Sequence, residues 1–359
     1  MVYGMKKAGA LFLLCVLLCI STVSFSGCAK YPAQKQTAQE AEPVLTFEDG
    51  TKASYDLYRF AFLSYLGRTR QKGSEEERFQ AADAAARDEI CHLYATFSLC
   101  RQYGVEPFAK EIDKEVSTAV RELIEGENGF GRFSDYLAAI RAANMTDAVY
   151  RLYVRQSICE EKLTEKLKEQ NVIPTDDAHI LDFFRNGEES ARAMWCYLSP
   201  EAVYNAPDAV NTLYQRALAA DDAAFSALAL MYQDGLLNTT AAMKNSGMYV
   251  GRYQWSTEYE ILQETIFSLQ EGETSAPTEY SYWEEKDTSG VYIVRRVPMG
   301  EISLEDEVTR EELTESYMLS MFGKMLEEEA ARLAGTAAFT DFYRSLTLSD
   351  VQMPADDAK

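Results

Sequence analysis

Histidine is nearly missing from this chain: its 359 residues hold two, His92 and His179, on separate stretches. That leaves too few imidazoles for most zinc or iron sites, so neither a resident metal nor another cofactor is expected. Positive charge is also scarce, with 35 Lys and Arg against 57 Asp and Glu and a net charge of -22. A phosphate backbone would be repelled, which removes nucleic acid from the expected partners. No stretch repeats, and no G-x-S-x-G elbow occurs. Long apolar runs are absent as well: the strongest, residues 11–20, is too short to span a bilayer securely. What is plentiful is apolar residues, at 47%, enough to give a chain of this length two or three domains with real cores.

The N-terminus reads as an export signal. Lys6 and Lys7 precede the apolar run, and Phe25-Ser26-Gly27-Cys28 follows it. Small residues just before a cysteine resemble the bacterial lipobox, although leucine is commoner where Phe25 stands. The resemblance implies a signal peptide over 1–27, a diacylated Cys28 as first mature residue, and a lipid anchor on the extracytoplasmic face of the cell membrane. Loss of 1–27 removes two lysines and no acid, taking -22 to -24. Such a surface does not adhere to anionic lipid by itself, so the acyl group would have to hold it there. Residues 28–43 are polar and aperiodic and predict a flexible tether. Four cysteines remain: Cys91, Cys100, Cys159 and Cys196. Cys91 and Cys100 share a predicted helix on opposite faces, about 13 Å apart, too far for a disulfide. Buried free thiols are expected.

From residue 44 the chain reads as a short Asp49-Gly50 hairpin and then helices. Ser54 is placed to cap the first, a second spans about 75–103, and a third, about 106–125, carries the stripe Ile112, Val116, Val120 and Ile124. After a short helix through Tyr136 and Ile140, Thr146 caps a long one to about 168, with Met145 and Tyr150 as a hydrophobic staple. A fifth begins after Pro174, with Thr175 as its expected cap. The texture then changes. A strand over 191–199, helices over 206–219 and 222–233, the stretch GMYVGRYQW, a helix over 257–269 and an antiparallel pair over 280–283 and 291–297 predict an α+β domain. A last helix begins near Ser303 and Asp306, with Val308, Leu313, Tyr317, Met321, Met325, Leu326 and Leu333 expected to face inward.

This order resembles the PrsA and SurA type of extracytoplasmic foldase. The most specific stretch is IFSLQEGETSAP (266–277), followed by GVYIVRRV (290–297) and AMWCYL (193–198); in the helical part YGVEPFAKEIDKEV and NVIPTDDAHILDFF carry the likeness. The resemblance implies an α+β fold in which a parvulin-like peptidyl-prolyl isomerase domain, 190–299, is inserted in a helical chaperone-like domain. The helical domain comprises 44–189 and a returning C-terminal helix within 300–350, with 351–359 as a tail. Parvulins line their prolyl pocket with two histidines on neighbouring strands; by alignment Trp195 and Tyr292 stand there. A family Cys or Asp corresponds, one position early, to Asp234. Val250 and Leu262 take the family's pocket Leu and Phe positions, and Ser289 a family hydroxyl position.

The implied function is protein folding outside the membrane, with unfolded or newly exported polypeptides as clients and no cofactor. Prolyl isomerisation needs neither nucleophile nor proton transfer. Its barrier of ~18–20 kcal/mol is amide resonance, lowered by seating the twisted amide in an apolar pocket. An altered pocket could still work. The alternative is that Trp195 and Tyr292 are core aromatics, Asp234 is a solvated loop residue, and the domain serves a holdase without catalysis. Client binding is then expected mainly in the helical part, where Met318, Met321, Phe322 and Met325 suit either promiscuous contact or a core stripe. A solute-binding lipoprotein would need two α/β lobes, against which the five helices before residue 187 argue.

Overall fold

The computed structural model describes residues 31–68, 74–186, 188–233, 247–255, 259–283, 286 and 288–352. The signal, Cys28, Asp234 and 353–359 lie outside them. The described chain is α+β, with helices and two antiparallel sheets. It divides into two compact units, one of 31–172 with 325–352 and one of 173–324. No helix among the described residues is long and apolar enough to cross a membrane.

In the helical unit, β1 (Pro43–Thr46) and β2 (Lys52–Ser54) form the Asp49-Gly50 hairpin. Five helices follow: α1 (Tyr55–Arg68), α2 (Glu75–Gln102), α3 (Lys110–Glu125), α4 (Phe133–Ala142) and α5 (Asp147–Glu169). The Ile112, Val116, Val120 and Ile124 stripe is buried as its spacing requires. Thr146 caps α5 by accepting from the Val149 N–H, and Met145 and Tyr150 are both buried beside it. Ser74 and Glu77 close a capping box on α2. Ser54 does not cap α1; its hydroxyl donates to Asp56, whose Oδ1 accepts from the Leu57 N–H. All four cysteines are buried and free.

Both ends of this unit are more tightly held than composition suggests. Residues 31–42, expected as part of a flexible tether, are docked: the Gln34 N–H donates to Asp147 at 2.7 Å and the Gln36 amide to Asp56 at 2.6 Å. At the other end β7 (Ala338–Phe339) joins β1, giving the order β2-β1-β7, and α12 (Asp341–Arg344) and α13 (Leu348–Gln352) follow. The Tyr55 hydroxyl and Arg59 Nε donate to the carbonyls of Asp350 and Val351, each at 3.0 Å.

The other unit begins with α6 (Asp177–Asn186), capped by Asp176 rather than Thr175: its Oδ1 accepts from the Ala178 and His179 N–H groups. Then come β3 (Ser190–Leu198), α7 (Pro200–Asn205), α8 (Asp208–Ala219), α9 (Asp222–Met231), β4 (Met248–Gly251), α10 (Glu260–Ser268), β5 (Thr278–Trp283) and β6 (Thr288–Val297). The sheet order is β4-β3-β6-β5, antiparallel throughout. α7 was not expected, though Ser199 as cap and Pro200 at the first helical position announce it.

The last helix, α11 (Glu307–Thr336), starts where Asp306 accepts from the Thr309 N–H, and the division between units falls inside it, after Lys324. Its first part belongs with the sheet unit because Arg310 pairs with Asp177 at 2.9 Å, Lys324 with Glu189 at 2.6 Å, and Ser320 donates to the Arg252 carbonyl. Gly323 permits this approach: a Cβ there would lie 2.1 Å from the Tyr253 carbonyl oxygen. The unit is therefore wider than the expected 190–299. Leu313, Tyr317 and Leu333 are buried as expected, whereas Val308 is 64% exposed in the first turn. Of the four Met and Phe positions, Met318 is buried and Met321, Phe322 and Met325 are half-buried.

Candidate functional site

β3 and β6 pair with Trp195 opposite Val294 and Tyr197 opposite Tyr292. Because side chains alternate along a strand, these four share one face of the sheet. Val250 of β4, opposite Ala191, and Tyr280 of β5, opposite Gly290, point to the same face. Leu262 of α10 joins the same core. Four of the six expected site positions thus meet: Trp195, Tyr292, Val250 and Leu262, each at most 1% exposed. Ser289 does not join them. It lies on the opposite face from Tyr292, and its hydroxyl donates to Glu279 Oε2 at 3.3 Å. Asp234 falls outside the described residues.

The face is occupied by rings. Trp195 meets Trp255 edge-on at 5.7 Å, Trp255 meets Tyr259 at 6.1 Å, Tyr259 stacks on Tyr280 at 5.8 Å, Tyr280 meets Tyr292 at 4.8 Å, and Tyr292 meets Tyr197 at 4.9 Å. Such tilted and edge-on pairs suit the ring quadrupoles. Gly290 is needed beneath them, since a Cβ would lie 2.9 Å from the Tyr197 hydroxyl and 2.8 Å from the Tyr280 carbonyl oxygen. The Trp195 indole N–H has no hydrogen-bond partner among the described residues. On the other face Cys196 is buried, and burial pushes its thiol up to about 12, against the pull of Arg216.

Among the described residues, the ring face itself is lined by aromatic and aliphatic side chains. What these described residues present is an apolar, amphipathic surface in which Trp195 and Tyr292 are packed against neighbouring rings. Sequence reasoning identified Trp195 and Tyr292 as site positions, and by the family resemblance placed a pocket Met position near Glu258, which lies outside the described residues, or Tyr259. Tyr197, Trp255 and Tyr280 were visible as aromatics; strand register brings Tyr197 and Tyr280 to this face, while Trp255 and Tyr259 reach it from outside the strands.

Large apolar side chains that stay exposed are unevenly placed. Among the described residues, Tyr204, Leu218, Met231, Ile261, Val308 and Leu319 lie in the sheet unit and Phe108 and Val172 in the helical unit. Phe108 is itself flanked by the Arg155 and Arg101 guanidiniums, 4.8 and 5.8 Å from its centroid. The helical unit also holds a cavity of about 190 Å³. Phe47 and Tyr94, 4.8 Å apart, contribute rings to its lining; Arg101 is paired with Asp49 at 2.6 Å and Arg332 with Glu329 at 2.8 Å.

No protein-family model matches the sequence, and no curated protein matches it. Solved structures similar to it include two foldase proteins. The foldase protein PrsA from Streptococcus pneumoniae str. Canada MDR_19A is 19% identical over 70% of this chain and 84% of its own, with a TM-score of 0.27. The foldase protein (PrsA) from Lactococcus lactis is 16% identical over 87% of this chain and 100% of its own, also with a TM-score of 0.27. A TM-score that low carries no assignment, and each unit's architecture stands on its own strands and helices.

Proposed function

We propose that this chain is a membrane-anchored, extracytoplasmic folding factor of the PrsA and SurA type that binds unfolded exported polypeptides, and that its parvulin-like domain acts as a holding surface with little or no isomerase turnover. The observation that carries this reading is the ring-filled sheet face. Strand, helices, strand, helix and antiparallel pair follow one another as the parvulin resemblance implies. Yet the two positions where that family keeps histidines carry Trp195 and Tyr292, both buried against other rings. Lowering a resonance barrier of ~18–20 kcal/mol requires a vacant apolar seat for the twisted amide. A face already packed with side chains supplies none. Holding a client needs only accessible apolar surface beside polar rims, and the exposed side chains of α7 to α11 supply that. The anchor is Cys28 with its acyl group, and the acidic surface favours basic, apolar client segments.

The test is suppression of aggregation of a chemically denatured client by the full chain at low and high salt. Suppression that weakens as salt rises supports the reading. A chain that leaves aggregation unchanged at every salt concentration contradicts it.

A further inference from the structure

Two of the four buried cysteines are neighbours. Cys100 lies near the end of α2 and Cys159 in the middle of α5, 59 residues apart in sequence, and both are fully buried. The Cys100 thiol donates to the Cys159 carbonyl at 3.5 Å. It also meets the Cys159 thiol: that hydrogen bond, burial and the charges of the Cys159 thiol and Glu160 push Cys100 up, against the pull of Arg101. The crossing of the two helices is pinned one turn away. Thr96 donates to Glu160 at 3.3 Å and accepts from the Gln156 amide at 3.4 Å, and Gln156 also donates to Glu160 at 2.9 Å. Neither remaining thiol shares this place. Cys91 stands on the opposite face of α2, and Cys196 belongs to the sheet unit.

We propose that Cys100 and Cys159 are a redox pair that closes to a disulfide between α2 and α5 while Cys91 and Cys196 stay thiols. The pairing concerns one pair of packed helices and stands apart from the folding-factor reading. Two sulfurs in contact across packed helices need only a small approach to bond. The oxidant is the disulfide of a small thiol, RS–SR. The Cys100 thiolate attacks one of its sulfurs and RS⁻ leaves; the Cys159 thiolate then attacks the Cys100 sulfur of the mixed disulfide and a second RS⁻ leaves. The two cysteines give up two protons and two electrons, and the oxidant becomes two RSH. A buried thiol is neither ionised nor reached by an oxidant, so the bond forms while the unit folds or opens, and burial then shields it from reductant. Closing a loop of this length constrains the unfolded chain, so the bonded form is the harder one to unfold.

The experiment uses the full chain carrying Cys15→Ser, Cys19→Ser and Cys28→Ser, which leaves Cys91, Cys100, Cys159 and Cys196 as its thiols. The protein is unfolded in urea with reductant, refolded in a mixture of glutathione and glutathione disulfide, trapped with N-ethylmaleimide and digested. The expected result is a linked peptide joining residues 100 and 159, at least about tenfold above any other pairing, with Cys91 and Cys196 carrying the trap. The linked protein should also unfold at a higher urea concentration than the same protein after reduction. A second sample, never unfolded and held with glutathione disulfide in urea just below its transition, removes any dependence on refolding. Thiols at 100 and 159 that still take the trap in both samples, or linkages spread over Cys91 and Cys196, overturn the pair.

Discussion

Both units bury many rings, but only the helical unit sets a charged network among them: Asp147 with Arg151, Tyr136 and Gln34, and Asp56 with Gln36 and Thr146, sit among the described helices with nearly every lone pair used. The sheet unit closes around rings without such a network among its described residues, and six large apolar side chains are exposed on its described helices. A buried ionic network is intolerant of vacancy, whereas a buried aromatic face leaves only the exposed side chains of the surrounding helices as accessible apolar surface. Sequence alone places client binding mainly in the helical part, and the exposed apolar side chains make the sheet unit the competing candidate. Among the described residues, the accessible apolar surface lies chiefly on the sheet unit.

Breaking the charged interior should have the largest effect. Asp147→Ala strands a buried guanidinium and frees the tether, and should cost about 3–5 kcal/mol in urea unfolding. Tyr197→Phe, at the ring face, should cost less than about 1 kcal/mol. A small loss for Asp147→Ala would mean that the network contributes little and that the contrast between units is false.

Next comes the placement of client binding. Combined Leu218→Ser, Met231→Ser and Ile261→Ser should weaken aggregation suppression several-fold, while Phe108→Ser with Val172→Ser should change it by less than about twofold. The reverse order of effects would return binding to the helices.

The thiols test what the two units share. Burial, with a smaller push from Asp88 opposed by Arg87, raises Cys91 to about 11, and burial raises Cys196 to about 12. At pH 8 both should react with a thiol reagent on the order of 100-fold more slowly than a free cysteine, and fully once unfolded. Rapid native labelling of one would show that unit to be opening.

The smallest effect concerns His92. Burial works to lower its pKa, but the hydrogen bond and charge of Glu327, 3.0 Å away, and the charge of Asp88 outweigh it and raise the value. A raised folded pKa gives stability that is complete below the ordinary imidazole value and lost as pH rises through the folded one. His92→Gln should therefore cost more at pH 6 than at pH 9, by less than about 1 kcal/mol. An equal cost at both values would leave the ion pair without a role.

Elements with local causes were legible in the sequence. The α3 stripe, the Thr146 cap, the Asp49-Gly50 hairpin and the β3 and β6 strands follow from spacing, side-chain chemistry and turn residues that act within a few positions. What was missed depends on distant partners. Residues 31–42 have no periodicity and read as a tether, because the groups that dock them, Asp147, Arg151 and Phe133, lie about a hundred residues away. Asp176 and Thr175 are adjacent candidates for one cap, and only backbone geometry chooses between them. Trp195 and Tyr292 were identified singly, but their burial among further rings depends on strand register for Tyr197 and Tyr280 and on the segment between β4 and α10 for Trp255 and Tyr259.

The most direct measurement is NMR exchange of an X-Pro peptide with the full chain, run beside aggregation suppression on the same preparation. The ring-filled face predicts suppression together with a cis–trans exchange rate at or near the uncatalysed value. Strong acceleration that is lost on Trp195→Ala or Tyr292→Ala would contradict it, showing that the rings give way to admit a prolyl substrate.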